Sequence, residues 1–228
     1  EIMPSLVGSE MCIRDRHYDA VLGRFTTNDR FAEKYYSMSP YQYGANSPVG
    51  NIDVNGDSII IKPNANGIID QIKVLFGYDT KFQKDVKADL FQLKQDDKKV
   101  ADIIGKLEES KNIHYITMPK KGEYNSTGFN ADKVKKNISQ GSEIYYNPYN
   151  RRRGRNDSDM RTPRIGLAHE LQHSFDVDKK VATYERTKNG ILLMDIRAIN
   201  TENRIRKVIG EPKRTMYGTQ KVPKELLE

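Results

Sequence analysis

The sequence predicts an α+β domain, and three observations carry that reading. Two short runs rich in β-branched and aromatic residues, "NIHYITMP" and "SEIYYNP", each end at a proline, which cannot donate to a strand ladder. The stretch "KFQKDVKADLFQLKQDDKKVADIIGKLEES" carries apolar residues at helical spacing. "RTPRIGLAHELQHSFDVD" and "MDIRAINTENRIRKVIG" then read as two further helices.

Taken in order, the chain falls into three parts. Residues 1–16 do not read like a protein segment: "SLVGSEMCIRDR" resembles translated sequencing adapter, so this stretch is set aside and the native chain is expected to continue upstream of His17. Residues 17–57 alternate tyrosines with Gly, Asn, Pro and Asp, a composition that gives short strands and tight turns. Residues 58–228 form the main domain.

Within that domain, "SIIIKPNANGIIDQIKVLF" has β-branched runs broken by Asn-Gly and predicts a strand and a turn. Val86, Leu90 and Leu93, then Val100, Ile103 and Leu107, predict one long or two short amphipathic helices. The two proline-stopped strands follow, separated by the Gly/Asn-rich segment 122–130, and "RRRGRNDSD" reads as a polar loop. The last two helices are expected around 163–177 and 194–209, the second stopped by Gly210 and Pro212.

Composition narrows the function classes. The 228 residues allow one domain with a small appendage, or two small domains. A single cysteine, Cys12, excludes an internal disulfide and any Cys₂His₂ or Cys₄ zinc site. No apolar run approaches the roughly 20 residues that span a bilayer, and no signal peptide is legible. The net charge of +7 fits a lysine-rich surface, or an anionic partner. Arg151, Arg152, Arg153 and Arg155 make a basic loop that reads first as a solvated face.

The chemistry concentrates in "HELQH". Thr162 is placed to cap the helix, and Pro163 stands at its first position, where a missing N–H costs nothing. Leu167, Leu171 and Phe175 recur every four residues and face inward. His169 and His173 have the same spacing, so both imidazoles leave one face a turn apart and can reach one tetrahedral Zn²⁺. Glu170 lies about 100° round the helix, toward the open side of such a metal, where it can activate water for attack on a peptide carbonyl. This is zincin chemistry.

A third ligand is required. Asp176 and Lys179 occupy the places where a metzincin needs Gly and His, and no His lies downstream of His173; a thermolysin-like arrangement instead takes a carboxylate from a following helix. Asp195 and Glu202, two turns apart on one face, are the candidates. Asp195 is preferred. Glu202 is the alternative ligand, an orienter of a ligating histidine, or a surface partner of Arg206. "EIYYNP" is placed to act as an edge strand that pairs with extended substrate. Tyr217 is a candidate donor to a tetrahedral oxyanion. His114, in a predicted strand, reads as structural.

Two resemblances extend this reading. Tyr18-Asp19, Leu22-Gly23-Arg24-Phe25, Asp29, Tyr41-Gln42-Tyr43, Asn46-Ser47-Pro48-Val49 and Ile52-Asp53 closely resemble the C-terminal end of the Rhs repeat-associated core. There a tyrosine-rich β-shell precedes a variable toxin domain. The usual Asp-Pro-x-Gly ending reads Asp53-Val54-Asn55-Gly56 here, with valine in the proline's place.

The run from Glu143 to Gly218 resembles the NleD-like effector metallopeptidases, at His169-Glu170-Leu171-x-His173, Arg197-Ala198, Glu202-Asn203 and Arg214-Thr215-x-Tyr217-Gly218. Asp195-Ile196-Arg197-Ala198 is similar to the Glu-x-x-Ala that carries the third ligand in glutamate zincins, with Asp for Glu. Together the resemblances imply a small zincin-like zinc endopeptidase toxin behind an Rhs core remnant, secreted or delivered into a target cell. Its implied partners are a target-cell protein substrate, a cognate immunity protein and an upstream Rhs shell, with nucleic acid not expected. A nuclease toxin payload and a catalytically inactive binding remnant are the alternatives.

Overall fold

The computed structural model describes residues 18–19, 24–28, 39–41, 58–64, 67–154 and 157–228. The first sixteen residues, with Cys12, and most of the expected Rhs-core end lie outside them. Of the latter, β1 (Tyr18–Asp19) pairs antiparallel with β2 (Arg24–Phe25).

From Ser58 onward the fold is α+β. β3 (Ile59–Ile61) is followed by α1 (Ile68–Leu75), α2 (Lys81–Asp96) and α3 (Lys98–Glu108). Then come β4 (His114–Thr117), β5 (Ser126–Gly128), α4 (Ala131–Lys135) and β6 (Ser142–Tyr145). The chain closes with β7 (Arg152–Gly154), β8 (Asp157–Met160), α5 (Pro163–Asp178), α6 (Leu193–Ile209), β9 (Met216–Tyr217) and β10 (Gln220–Lys221).

Three sequence expectations are corrected. The segment after Ile61 does not continue as strand and turn: "IIDQIKVL" is helix α1, which leaves Ile69, Ile72 and Leu75 exposed. Five of its eight residues are apolar, so a single-sequence reading favours a strand that the helical backbone overrides. Within "RRRGRNDSD", expected as a loop, Arg152–Gly154 and the residues from Asp157 belong to two strands, β7 and β8, that pair antiparallel. Thr162 begins α5 without capping it through its side chain; its hydroxyl instead donates to Glu211 Oε1 at 2.6 Å. The helical segment 81–108 resolves into two helices at Asp97, whose side chain accepts from the Lys99 and Val100 N–H groups and so restarts the helix.

The main sheet has the order β3-β4-β6-β5. β3, β4 and β6 run parallel, and β5 adds antiparallel to β6. β6 is therefore internal, so "EIYYNP" is not the edge strand; β5, from the Gly/Asn-rich segment, is. The three residues of β5 carry no apolar pattern that would mark a strand; pairing with β6 makes them one.

Ile59, Ile61, Ile116 and Ile144 from the sheet pack with Val86, Leu90, Leu93, Val100, Ile104 and Leu107 of α2 and α3 and with Leu167 and Leu171 of α5. A second, smaller core of Ile191, Ile196, Ile199 and Val222 lies behind α6, with Tyr217 packed against it. Gly210 stops α6 in the left-handed conformation at φ 76°, which glycine adopts without Cβ strain.

Both ends of the motif helix are anchored. At its C-terminal end the Asp178 carboxylate accepts from Ser110 and from Asn112 at 2.6 Å, pairs with Lys179 at 2.7 Å, and lies 3.7 Å from His114. His114, fully buried in β4, contacts Ser142 at 2.9 Å, and Ser142 donates to Ser174 of α5. The structural expectation for His114 agrees with this placement. Along its length α5 is joined to α6 by Thr201 to Gln172 at 2.6 Å and Arg197 to Asp176 at 2.8 Å, and Gln172 and Asp176 are themselves linked along α5 at 2.7 Å.

Candidate metal and catalytic site

His169, Glu170, His173, Asp195 and Tyr217 all line one cavity of about 350 Å³. The helix supplies the first three, α6 supplies Asp195, and the β9–β10 hairpin supplies Tyr217. Asn203 brings that hairpin back: its side chain accepts from the Arg214 N–H at 2.7 Å and donates to the Arg214 carbonyl at 3.0 Å.

The two imidazoles lie edge to face with centroids 5.0 Å apart. His173 Nε2 stands 3.6 Å from Asp195 Oδ1. That is too long for a direct hydrogen bond, but two donors on one tetrahedral zinc at ~2.0–2.1 Å stand about 3.4 Å apart. Burial, then the charges of His169 and Arg197, hold the His173 pKa well below the ordinary histidine value, so the ring is neutral and its nitrogen free to ligate. Burial raises Asp195, while the charge of His169 and a hydrogen bond donated by Tyr217 pull it back.

Glu202 plays a different part. It is completely buried, and its pair with Arg206 is internal, not on the surface. Oε1 accepts from Arg206 at 2.8 and 3.0 Å; Oε2 accepts from Arg214 at 2.7 Å and lies 3.4 Å from Arg161. The same Oε2 is 3.3 Å from His169 Nδ1, which leaves the opposite nitrogen of that ring for a ligand. Burial opposes the Glu202 charge, but the His169 imidazole and the Arg161 and Arg214 charges outweigh it, holding its pKa well below the ordinary value.

Glu170 accepts a hydrogen bond from Thr127 Oγ1 at 2.8 Å. Thr127 is opposite Ile144 in the β5–β6 register, so both side chains turn to the α5 face. Burial raises the Glu170 pKa, against the lowering effects of His169, Thr127 and Arg161. Tyr217 is raised by burial and by Asp195, and so keeps its proton at neutral pH.

Two imidazoles and a carboxylate are the donor set of a zinc site, with His173 Nε2 and Asp195 Oδ1 already 3.6 Å apart and His169 turned by Glu202 behind its Nδ1. Among the described residues, no three His, Cys, Asp or Glu side chains are already drawn into one metal-ligand cluster. Sequence reasoning missed Thr127, Asn125 and Arg161. Thr127 is 43 residues from Glu170, and nothing in its local pattern announces the contact.

Compared with known proteins, the chain matches no protein-family model, no curated protein and no solved structure.

Proposed function

We propose that the chain is a zinc-dependent endopeptidase of zincin type, the toxin domain of an Rhs-type polymorphic toxin, which hydrolyses a protein inside a target cell. The observation that carries the reading is the 3.6 Å approach of His173 Nε2 to Asp195 Oδ1, one helical turn from His169 and on the same cavity as Glu170.

His169, His173 and Asp195 would hold the metal, with Glu202 behind His169. When bound, zinc supplies Lewis acidity and acidifies a water to a pKa of ≈ 7. Glu170 takes the proton from the attacking water and passes it to the leaving amine; its burial, by raising the carboxyl pKa, suits both steps. Thr127 fixes one carboxylate oxygen of Glu170, which lines the cavity. Tyr217, protonated, donates to the developing oxyanion. The substrate chain lies along the outer edge of β5, whose residue Thr127 already touches Glu170.

Delivery behind an Rhs shell and neutralisation by a cognate immunity protein belong to the same proposal and follow from the resemblance alone. Among the described residues no helix is long and apolar enough to cross a membrane.

The test pairs metal analysis with one variant. Protein purified without added metal is expected to hold about one zinc per chain. Glu170→Ala is expected to keep fold and zinc and to lose toxicity in cells. Full toxicity of Glu170→Ala overturns the reading, and plasmid or RNA degradation that ignores this variant replaces it with a nuclease.

A further inference from the structure

Arg161 is a costly residue to keep where it is. It is 3% exposed, and its Nε has no hydrogen-bond partner. Glu202 already holds Arg206 and Arg214 by hydrogen bonds, and Arg161 is a third cation at 3.4 Å. The chain also makes room for it. Gly166 lies inside α5, where glycine is less favourable than alanine. A Cβ there would stand 2.5 Å from Arg161 Nη2 and 2.7 Å from Asn125 Nδ2.

Three arginines thus contact two carboxylates, Glu202 and Glu211, and one positive charge is left over. That charge is not hidden behind the site. Arg161, Arg214 and Asn125 all line the cavity that holds His169 and Glu170. Glu170 and Asp195 would balance a zinc dication, so the surplus remains for something that enters. Guanidinium forks in a desolvated wall select planar carboxylates.

We propose that Arg161 and Arg214 form a carboxylate-binding subsite, so that the substrate presents a carboxylate beside the scissile bond. The inference rests on the peptidase reading above and adds the substrate class. The carboxylate comes from an Asp or Glu side chain or from the end of a polypeptide.

The experiment titrates zinc-loaded full chain with two small chelators by calorimetry. Butyrohydroxamate carries only the zinc-binding group, and succinic acid monohydroxamate adds a carboxylate. The carboxylate is expected to improve affinity roughly tenfold in the unsubstituted protein, and Arg161→Met to abolish most of that advantage while the butyrohydroxamate affinity holds. Equal binding of the two compounds overturns the subsite and leaves the peptidase reading standing. Failure of both to bind sinks the metal reading, and the subsite with it. The unsubstituted protein decides the matter even if Arg161→Met does not fold. Digestion of a proteome-derived peptide library then identifies the source. Internal cuts beside Asp or Glu mean a side chain, removal of C-terminal residues means a chain end and makes the enzyme a carboxypeptidase instead of an endopeptidase, and cuts with neither feature overturn the proposal.

Discussion

His173 Nε2 faces Asp195 Oδ1 at 3.6 Å, whereas Glu202, the other acidic residue on that face of α6, is turned behind His169 Nδ1 at 3.3 Å. The two carboxylates, two turns apart, divide the work of ligation and orientation. Asp195→Ala is expected to weaken zinc binding more than ~100-fold, because a tripod loses a leg. Glu202→Gln leaves the three metal donors in place and weakens the support behind one of them, and a loss of about 10- to 100-fold is expected. Competition with a chromogenic chelator measures both, and the reverse order would make Glu202 the ligand.

Glu202 also carries a structural load. Its carboxylate is the common partner of Arg161, Arg206 and Arg214, all of them buried. Glu202→Ala leaves three cations without that anion, and a destabilisation of about 3–5 kcal/mol is expected from urea unfolding at pH 7. The pH dependence follows from the depressed pKa. In the unfolded chain the group titrates near 4.5, and in the fold well below it. Its stabilisation is therefore complete above pH 4.5 and drains away as pH falls toward the folded value. A gap between the two proteins that fails to narrow in acid would contradict the assignment.

Asp178 tests the other end of the motif helix in the same way. Its carboxylate gathers Ser110, Asn112, His114 and Lys179, and these partners overcome the cost of burial to hold its pKa far below the usual 3.8. Asp178→Asn is expected to cost about 1–3 kcal/mol at neutral pH, since buried donors lose a charged acceptor. The difference should persist down to pH 3.8 and shrink below it, where the wild-type carboxylate begins to be protonated in the unfolded chain. Unfolding of both proteins across pH 3 to 7 measures it.

These contacts show which parts of the site the sequence could reveal. His169, Glu170 and His173 were legible because a helix fixes their relative directions through spacing alone. Asp195 and Glu202 were legible as a pair, with Asp195 preferred as ligand, but spacing alone left Glu202 open as an alternative: which one faces the cavity depends on the rotation of α6 against α5, held by Thr201, Gln172, Asp176 and Arg197. The edge strand was misassigned because "EIYYNP" has the stronger β pattern. Strand order in a sheet is decided by pairing between distant segments, and β5 gains its place through Thr127 and Ile144. Arg161 looked like an ordinary residue before a helix, and its burial follows from Gly166 and Glu202, neither of them adjacent to it.

Tyr217 separates transition-state stabilisation from metal binding. Its hydroxyl stands close enough to Asp195 for that carboxylate to raise its pKa, and the ring packs against the small core behind α6. Tyr217→Phe preserves the ring and removes only the donor. If the hydroxyl serves the oxyanion, kcat on a cleaved peptide should fall about 10²- to 10³-fold with KM and zinc content nearly unchanged. A fall in zinc content of the same size would mean that the tyrosine acts only by positioning Asp195.

Gly166→Ala tests whether the interior of the motif helix is adapted to Arg161. An exposed helical glycine replaced by alanine stabilises by ~1 kcal/mol, because alanine loses less backbone freedom on folding. Here the added methyl would stand 2.5 Å from Arg161 Nη2 and 2.7 Å from Asn125 Nδ2, so the guanidinium must move from the wall of the cavity. The single variant should therefore show no gain, or a net loss. In a background of Arg161→Met only the Asn125 contact remains, so Gly166→Ala should be better tolerated there than in the unsubstituted protein. Urea unfolding of the four proteins in this cycle gives the coupling directly. A coupling near zero would mean that the methyl and the guanidinium never compete, and that Gly166 is there for some other reason.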